Sequence, residues 1–338
     1  MRYKLLGRSG LRVSELALGT MTFGEEWGWG ASWETSRRLF DIYAEAGGNF
    51  IDTANRYTEG TSERMVGEFI ARDREHFVLA TKYTLFTRKG DPNAAGNHRK
   101  NMRASLEASL RRLGTDYVDL YWVHAWDFLT PVEEVVRSLD DFVRAGKVLY
   151  VGISDTPAWI VSQAVTLADL RGWSRFVGLQ VQYSLLERSV ERDLLPMATA
   201  LDLGVTAWGA LASGILTGKY NRDAAAAGRA SRRGAVSEKK LAVAQVVVDT
   251  ATELGCTASQ VAHAWLRDRS DRIIPILGAI TEEQLRDNLG CLDVRLSGEQ
   301  FKRLDDASRI ELGFPHDFLA SSPIQELVFG GIRDQIDG

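Results

Sequence analysis

Short apolar runs alternate with amphipathic stretches along almost the whole chain, and this alternation limits the possible folds more than any other feature. Eight of the runs are typical of strands, namely Glu15–Leu18, Phe50–Thr53, Phe77–Thr81, Val118–Val123, Leu149–Ile153, Val177–Val181, Val205–Trp208 and Ile273–Leu277. Helical patterns separate consecutive runs, and strands that alternate with helices form parallel sheets. The sequence therefore predicts an α/β fold with eight parallel strands, the number found in a closed (β/α)8 TIM barrel.

A doubly wound dinucleotide-binding sheet is the rival architecture, and its glycine-rich signature can be tested directly. The nearest match is the run from Gly28 to Trp33, but Trp33 stands where that helix must approach its strand closely. The run from Gly214 to Tyr220 resembles a phosphate-binding P-loop, yet its glycines are one residue too close and Tyr220 replaces the Ser or Thr. Neither signature holds, so we expect the barrel.

The segments outside the eight strand-helix units predict additions to one barrel. Tyr3–Leu6 and Leu11–Val13 flank a Gly-rich turn, which predicts an N-terminal β-hairpin that plugs one end of the barrel, with a frayed tail as the alternative. Helical patterns at Gln284–Leu289 and Gly298–Ala307 predict extra C-terminal helices. No composition break suggests a linker, so residues 1–338 are expected to form a single domain.

Composition narrows the partners and the compartment. The formal net charge is -4, from 41 Lys and Arg residues against 45 Asp and Glu residues, which gives no global attraction to nucleic acid or an anionic membrane. Only two cysteines occur, without the spacing of a disulfide framework or a zinc site. The apolar runs are too short for membrane spans. We expect a cytoplasmic protein without metal, membrane or nucleic-acid partners; its oligomeric state stays open.

Polar side chains at the carboxyl ends of neighbouring strands are the candidates for chemistry, because the active site of a β/α barrel lies at that end. Asp52 ends the second strand and is followed by Tyr57, Lys82 ends the third strand and His124 ends the fourth. An ammonium near Tyr57 would lower the pKa of its hydroxyl from about 10. Asp52 would keep Lys82 charged, and His124 would orient a carbonyl group. The four side chains together predict acid-base chemistry on a carbonyl.

Each of these residues also has a purely structural interpretation. Asp52 could cap a turn, Tyr57 could be a core aromatic, Lys82 a solvated strand end and His124 a hydrogen-bonded core histidine. Four such residues at adjacent strand ends are harder to explain that way. No side chain in the set is a hydride source, so reduction would need a nicotinamide cofactor.

The run from Gly48 to Tyr57, followed by Gly60-Thr61-Ser62-Glu63, resembles the signature of the aldo-keto reductases. Further matches follow in order, at Ala80–Lys82, Asp116–His124, Gly152–Asp155 and Gly278–Asn288. The run that continues from His124 to Asp127 is similar to the bacterial, potassium-channel-β-like branch. The resemblance implies a barrel enzyme that reduces an aldehyde or ketone with NAD(P)H, using Tyr57 as the general acid.

The resemblance also implies a set of cofactor contacts. Ser154 and Gln180 would hold the nicotinamide carboxamide, Trp208 would stack on its ring, and Asp155 would be a further cofactor contact. Further contacts are implied at the end of the first strand, along the pyrophosphate and at the adenosine, by Gly19, Thr20, Met21, Asp52, Leu211, Ser213, Gly214, Lys219, Gly278, Gln284 and Asn288. Gln284 has an equally good interpretation as part of the N-cap of its helix.

Two positions depart from the family pattern. Asp155 stands where relatives usually have Asn, and a carboxylate cannot donate to the carboxamide. Ile280 stands where close relatives commonly have the Arg that grips the 2′-phosphate of NADP. NADP(H) is favoured by resemblance, but NAD(H) would be accepted unless another arginine compensates; the candidates are Arg272, Arg286, Arg229 and Arg232.

Aromatic residues just beyond the strand ends would line the substrate pocket: Phe23, Trp27, Trp29, Trp33, Tyr83, Trp126 and Phe86. Some of the tryptophans could instead only pack loops against the barrel. Two other functions stay open at this point. The chain could be a non-catalytic, nicotinamide-binding protein similar to the channel β subunits, or a Schiff-base aldolase that uses Lys82 as its nucleophile.

Overall fold

A closed barrel of eight parallel strands forms the centre of the protein, as expected. The computed structural model describes residues 1–223, 226, 228, 230 and 236–337. Its barrel strands are β3 (Ala17–Gly19), β4 (Phe50–Asp52), β5 (Val78–Tyr83), β6 (Val118–Val123), β7 (Val148–Ser154), β8 (Phe176–Gln182), β9 (Gly204–Trp208) and β10 (Ile273–Leu277). They pair in chain order, and β10 closes the barrel against β3. The predicted bounds of β6 and β10 match those of the structure.

Helices cover the outside of the barrel. They are α1 (Trp33–Glu45), α2 (Thr61–Ile70), α3 (Arg99–Leu113), α4 (Val132–Arg144), α5 (Ala158–Arg171), α6 (Leu194–Ala200), α7 (Lys219–Arg222), α8 (Glu238–Leu254), α9 (Ala258–Arg269), α10 (Glu282–Leu289), α11 (Gly298–Ala307), α12 (His316–Ala320) and α13 (Ser322–Phe329). The stretch between β8 and β9 does not form one continuous helix, because a 3₁₀ turn at Ser189–Glu191 precedes α6. Pro196 lies in the first turn of α6, where its missing N–H costs nothing.

The barrel interior is filled around Trp122 of β6, which is fully buried. A Cβ atom on Gly152 would lie 2.3 Å from the Trp122 ring, and one on Gly178 would lie 2.8 Å from it. Strands β7 and β8 therefore carry glycine where the indole of β6 needs space. Phe50, Val78 and Leu120 belong to the same interior cluster, so the barrel is packed rather than hollow.

The predicted N-terminal hairpin is present, and it closes the amino-terminal end of the barrel. Strands β1 (Tyr3–Leu5) and β2 (Arg12–Ser14) pair antiparallel. Leu6 and Val13 are fully buried in the interior cluster. Gly7 has φ +54°, and a Cβ there would lie 2.2 Å from the carbonyl oxygen of Val177. The hairpin turn is therefore pressed against the starts of β8 and β9, which leaves the opposite end of the barrel as the open mouth.

The C-terminal helices lie outside the main core. Helices α12 and α13 contain no buried residue, and Phe314 in the preceding segment is 84% exposed. The Phe314 and Phe318 rings pack on each other, with centroids 5.9 Å apart. Within the described residues, no helix is both long and apolar enough to cross a membrane.

Candidate active site

Lys82 is the centre of the polar cluster at the mouth. Its Nζ atom donates to Asp52 Oδ2 at 2.5 Å, to the carbonyl oxygen of Thr53 at 2.9 Å and to the Tyr57 hydroxyl at 3.1 Å. Lys82 is fully buried, and Asp52 nearly so. Three bonds satisfy all three ammonium hydrogens. The ends of β4 and β5 thus bring Asp52, Tyr57 and Lys82 together.

The Asp52 carboxylate has a second partner that the sequence did not indicate. Gln180 at the mouth end of β8 donates from Nε2 to Asp52 Oδ1 at 2.9 Å, across the barrel. Each Asp52 oxygen therefore accepts one hydrogen bond, and the carboxylate is held in one orientation. The Gln180 side-chain oxygen does not take part in this bond and can accept from a carboxamide N–H, as expected.

A strained turn places Tyr57. Thr58 and Glu59, directly after it, have φ values of 45° and 55°, a left-handed conformation that costs free energy for a β-branched residue. Thr58 Oγ1 donates to the carbonyl oxygen of Phe23 at 2.6 Å and accepts from the backbone N–H of Ser62 at 3.1 Å. These bonds compensate for the strain and hold the tyrosine over the mouth.

The rest of the signature segment supports the site and does not enter it. Ser62 Oγ donates to the carbonyl oxygen of Thr20 at 2.7 Å and lies 3.0 Å from Thr53 Oγ1, which ties the ends of β3 and β4 together. Glu63 is fully buried, accepts from Thr81 at 2.6 Å and pairs with Arg112 at 2.6 Å. Ser62 and Glu63 are therefore structural residues of the motif.

Burial decides the protonation of Tyr57. It raises the pKa of the hydroxyl above its ordinary value, and the Lys82 ammonium opposes this only in part. The expected lowering by Lys82 is real, but it is the smaller effect. Burial also works to lower the pKa of Lys82, yet Asp52 and Tyr57 outweigh it and the pKa is raised. At neutral pH the pair is a protonated tyrosine beside a charged lysine.

His124 stands edge-on to Tyr57, with ring centroids 5.9 Å apart and an interplanar angle of 83°. Burial, helped by the nearby Lys82 charge, lowers the pKa of His124 to about 3. The imidazole is therefore neutral at physiological pH. Its Nδ1 atom is buried without a hydrogen-bond partner. A proton on Nδ1 would be a buried donor without an acceptor, which costs free energy, so the proton lies on Nε2. A neutral Nε2–H can donate to a carbonyl oxygen.

Asn97 holds the two loops that follow Lys82 and His124, a role that no sequence motif signalled. Its Nδ2 atom donates to Thr84 Oγ1 at 3.0 Å and to the carbonyl oxygen of Ala125 at 2.9 Å. Its Oδ1 atom accepts from the Asp127 backbone N–H at 2.7 Å, and Asp127 Oδ2 accepts from the Asn97 N–H at 2.7 Å. The reciprocal pair fixes the loop after β6 relative to the loop after β5.

Trp208 and Asp155 meet at the other side of the mouth. The Trp208 indole N–H donates to Asp155 Oδ1 at 3.3 Å. Next to Asp155, the Ser154 hydroxyl is buried, and it lies near the Asp155 carboxylate. Ser154 pairs in register with Gln180 on β8. A buried hydroxyl, an amide oxygen and an indole face lie at three adjacent strand ends, a donor and acceptor set that fits a nicotinamide carboxamide.

The segment after β9 fits a phosphate group. Ala212, Ser213 and Gly214 have φ values of 47°, 59° and 88° in succession, within the 3₁₀ turn Ala212–Thr217. A Cβ on Gly214 would lie 3.6 Å from Lys219 Nζ, so the ammonium borders this turn. Leu211, just before the turn, packs against the core. A cation beside a turn of successive left-handed residues suits the expected pyrophosphate contact.

Several other predicted cofactor residues have structural roles. A Cβ on Gly19 would lie 2.6 Å from the Ile276 side chain, and the Thr20 N–H donates to the Asp52 carbonyl oxygen at 2.9 Å. Asn288 donates to the Gly278 carbonyl oxygen at 3.3 Å. Gln284 Oε1 accepts from the Ile280 N–H at 2.9 Å, one residue before the position of a capping box. Met21 is partly exposed at the mouth, and Gly278 has open space where a Cβ would be.

The arginines proposed to replace the missing one near Ile280 lie in different places. Arg272 pairs with Asp202 at the amino-terminal end of β10, the wrong end of the barrel, so that expectation was wrong. Arg229 and Arg232 lie outside the described residues. Arg286 Nη2 lies 3.9 Å from Glu282, and the same carboxylate pairs with Arg38 of α1 at 2.5 Å. Arg38 was not predicted, because α1 and α10 become neighbours only in the fold.

The aromatic candidates for substrate contact divide into two groups. The Trp27 indole N–H donates to Glu59 at 3.1 Å, and its ring lies 5.8 Å from that of Trp29, so both line the rim beside the Tyr57 turn. Trp126 is partly buried on the loop after β6, and the Arg56 guanidinium lies 4.3 Å above the Phe86 ring.

Three aromatic residues have packing roles instead. Phe23 and Tyr83 are fully buried in the core, where Phe23 packs on Phe69 and Tyr83 stacks on Tyr121. Trp33 begins α1 and donates to Glu68 of α2 at 3.0 Å, on the helical layer. We therefore correct the expectation that Phe23 and Tyr83 line the pocket, because both side chains are buried in the core. Trp33 is 43% exposed, but its contacts are with α2 on the helical layer.

This mouth can donate a proton and orient a carbonyl oxygen, with Tyr57 and Nε2 of His124 as the donors. It offers no metal chemistry of its own among the described residues, where no group of three or more His, Cys, Asp or Glu side chains could hold an ion. The charged Lys82, fully hydrogen-bonded, is a poor nucleophile.

Comparison with known proteins gives a consistent result. The model of the aldo/keto reductase family matches residues 15–309. A norsolorinic acid reductase from Aspergillus flavus is 40% identical over 332 residues, which cover 95% of this chain and 84% of the relative. An aryl-alcohol dehydrogenase [NADP(+)] from Phanerodontia chrysosporium is 37% identical, over 91% of this chain and 86% of the relative. An aryl-alcohol dehydrogenase from Pestalotiopsis microspora is 35% identical, over 94% and 85%.

Proposed function

The chain belongs to the aldo/keto reductase family, and from that premise we propose that Tyr57 is the proton donor of a carbonyl reduction carried out at the mouth of the barrel. The protein is an NAD(P)H-dependent oxidoreductase of the carbonyl-reducing type. The observation that supports the role of Tyr57 is the 3.1 Å bond from Lys82, in a cluster where burial keeps the tyrosine protonated.

The four catalytic residues divide the work. A bound reduced nicotinamide supplies the hydride to the carbonyl carbon. Tyr57 gives its proton to the developing alkoxide, and Lys82 stabilises the tyrosinate that is left behind. Asp52 keeps Lys82 charged and in place, held in turn by Gln180. His124 donates from Nε2 to the carbonyl oxygen and so aligns the carbon for attack.

For the cofactor we propose NADP(H), bound with its nicotinamide against Trp208 and its carboxamide near Ser154, Asp155 and Gln180. The pyrophosphate would lie along Leu211, Ser213, Gly214 and Lys219, and the adenosine near Gly278, Gln284 and Asn288. In place of the usual arginine at Ile280, Arg38 and Arg286 supply the positive charge for a 2′-phosphate. Both arginines already pair with the Glu282 carboxylate, and a 2′-phosphate would take over from Glu282 as their anionic partner.

For the substrate we propose an aryl aldehyde or aryl ketone. The rim beside Tyr57 is aromatic, with Trp27 and Trp29 from one loop, Phe86 from a second and Trp126 from a third. Flat aromatic walls favour a flat aromatic substrate. Two of the relatives are named aryl-alcohol dehydrogenases.

Finer expectations remain proposals. The norsolorinic acid reductase and the two aryl-alcohol dehydrogenases are fungal proteins, so membership of the bacterial, potassium-channel-β-like branch stays a prediction. A single domain over residues 1–338, a cytoplasmic location and the absence of nucleic-acid partners also stay predictions. The aldolase alternative is disfavoured by the raised pKa of Lys82, because a Schiff base requires the neutral amine.

The deciding experiment is steady-state oxidation of NADPH with an aromatic aldehyde by the wild-type protein, by Tyr57→Phe and by Tyr117→Phe. Tyr117 bonds to Glu75 on the outer surface and is the matched control. Wild type and Tyr117→Phe should turn over many times, and Tyr57→Phe should lose about 10²- to 10⁴-fold in kcat with little change in the Kd for NADPH. Full activity in Tyr57→Phe would refute the assignment, and single-turnover behaviour of the wild type would support the non-catalytic alternative.

A further inference from the structure

Asp155 holds a carboxylate at the barrel mouth without an ion-pair partner. It follows the last residue of β7 in a left-handed conformation, φ 41°, and its N–H donates to the Gln180 carbonyl oxygen at 3.3 Å. The side chain is solvent-accessible, and its neighbours are neutral: the Trp208 indole N–H donates to it, and the Ser154 hydroxyl lies beside it. Within the described part of the chain, no lysine or arginine forms an ion pair with it. The carboxylate is therefore fixed in position but not neutralised by a contact.

The catalytic side chains near Asp155 carry no net charge of their own. On β4 and β5, Asp52 and Lys82 pair with each other and cancel. Tyr57 is protonated, and His124 on β6, with a pKa lowered to about 3, is neutral. Lys82 attracts Asp155 from a distance, but its three hydrogens are already used. An Asn at position 155 would leave this group of side chains neutral, whereas Asp155 adds one negative charge.

The location of that charge matters because of Trp208. Asp155 accepts from the Trp208 indole, and the proposed function places the nicotinamide against that indole. Ser154 and Gln180 lie at the neighbouring strand ends. The nicotinamide ring is neutral in its reduced form and becomes a cation when the hydride leaves with its electron pair. A fixed anion beside this surface stabilises the cation selectively.

We propose that Asp155 makes the nicotinamide subsite discriminate between the two redox states of the cofactor, by binding the oxidised, cationic form more tightly than an Asn at this position would. The inference rests on the proposed function. During carbonyl reduction the hydride moves to the carbonyl carbon, the Tyr57 proton moves to the oxygen, and the ring gains one positive charge. Asp155 therefore favours hydride departure and delays release of the oxidised cofactor.

The test compares the dissociation constants of NADP⁺ and NADPH in wild type and in Asp155→Asn, by tryptophan fluorescence and by isothermal titration calorimetry. Asn tolerates the left-handed conformation and can still accept from Trp208, so this change removes the charge and little else. We expect the Kd for NADP⁺ to rise about tenfold while the Kd for NADPH stays within about twofold. Glu25→Gln removes a carboxylate from the exposed loop after β3 and should leave the ratio unchanged.

Other results would overturn the inference. Equal weakening of both cofactors in Asp155→Asn would make Asp155 only a support for Trp208, and an equal shift in Glu25→Gln would assign the effect to the general charge of the mouth. A second measurement needs no variant. Partial loss of hydration at the mouth raises the pKa of the Asp155 carboxyl, although the side chain keeps contact with solvent. As the pH is lowered, the preference for NADP⁺ should therefore begin to fall at a higher pH than it would with an ordinary aspartate. If wild type binds neither cofactor, the proposed function itself fails, which is a distinct outcome.

Discussion

The Lys82 ammonium lies 3.1 Å from the Tyr57 hydroxyl, yet the pKa of Tyr57 is raised rather than lowered. Burial removes the water that would solvate a tyrosinate, and this loss outweighs the attraction of one ammonium whose charge Asp52 already offsets. A protonated tyrosine is what carbonyl reduction needs, whereas alcohol oxidation needs its conjugate base. The relationship therefore makes the two directions differ in their dependence on pH.

We predict that kcat/KM for carbonyl reduction at saturating NADPH is flat through neutral pH and falls only above the ordinary tyrosine pKa of about 10. Alcohol oxidation should instead increase as the pH rises toward that value. The pKa of His124, about 3, keeps this histidine neutral throughout the assay range. Initial rates measured from about pH 5 to about pH 10, a range that includes the ordinary pKa values of histidine and tyrosine, test this prediction. A transition near pH 6.5, typical of histidine, would contradict it.

Removal of Lys82 should affect stability as well as activity. Lys82→Met leaves the Asp52 carboxylate buried and without its cation, which should lower the free energy of unfolding by roughly 3–5 kcal/mol. Activity should be lost too, because the tyrosinate is no longer stabilised. Denaturant unfolding and turnover measure the two effects.

The double variant Asp52→Asn, Lys82→Met separates them. An amide oxygen at position 52 can still accept from Gln180, so most of the lost stability should return while activity stays absent. If the double variant is as unstable as Lys82→Met, the buried charge is not the cause of the destabilisation.

Cofactor preference should depend on the arginines around Glu282. Arg38→Gln should raise the Kd for NADPH about tenfold or more, the loss of one charge-assisted bond, and leave the Kd for NADH unchanged. Arg37→Gln is the matched control, since Arg37 pairs with Asp41 on the same helix. Glu282→Gln should have the opposite effect and tighten NADPH, because it frees Arg38 and Arg286. Fluorescence titrations that show equal changes for both cofactors would remove these residues from the phosphate site.

Packing inside the barrel gives a prediction about stability alone. Gly152→Ala places a methyl group 2.3 Å from the Trp122 ring, so the free energy of unfolding should fall by about 1–3 kcal/mol or more. Gly298→Ala, at the start of α11 with open space around it, should be nearly neutral. Urea unfolding of both variants compares them. Equal stability of Gly152→Ala and wild type would mean that Trp122 moves freely.

Local patterns in the sequence predict the strands and the strand ends that carry polar residues. Strand β6 was predicted over Val118–Val123 from its apolar run, because a strand buried on both faces needs such a run. Asp52, Lys82 and His124 were expected to converge because a parallel barrel brings all strand ends to one mouth. Short-range patterning and this topological rule together determined the fold class and the members of the polar cluster.

How those members act depends on contacts that form in the folded protein. Gln180 bonds Asp52 across 128 positions of the chain, and Arg38 meets Glu282 because α1 and α10 pack together. No local pattern encodes such contacts, since they exist only after the barrel closes. The same closure removes water from Tyr57, and that burial sets the direction of its pKa shift against the attraction of Lys82. The sequence determined which groups are present, and the fold, by setting distance and solvation, decided their charge states.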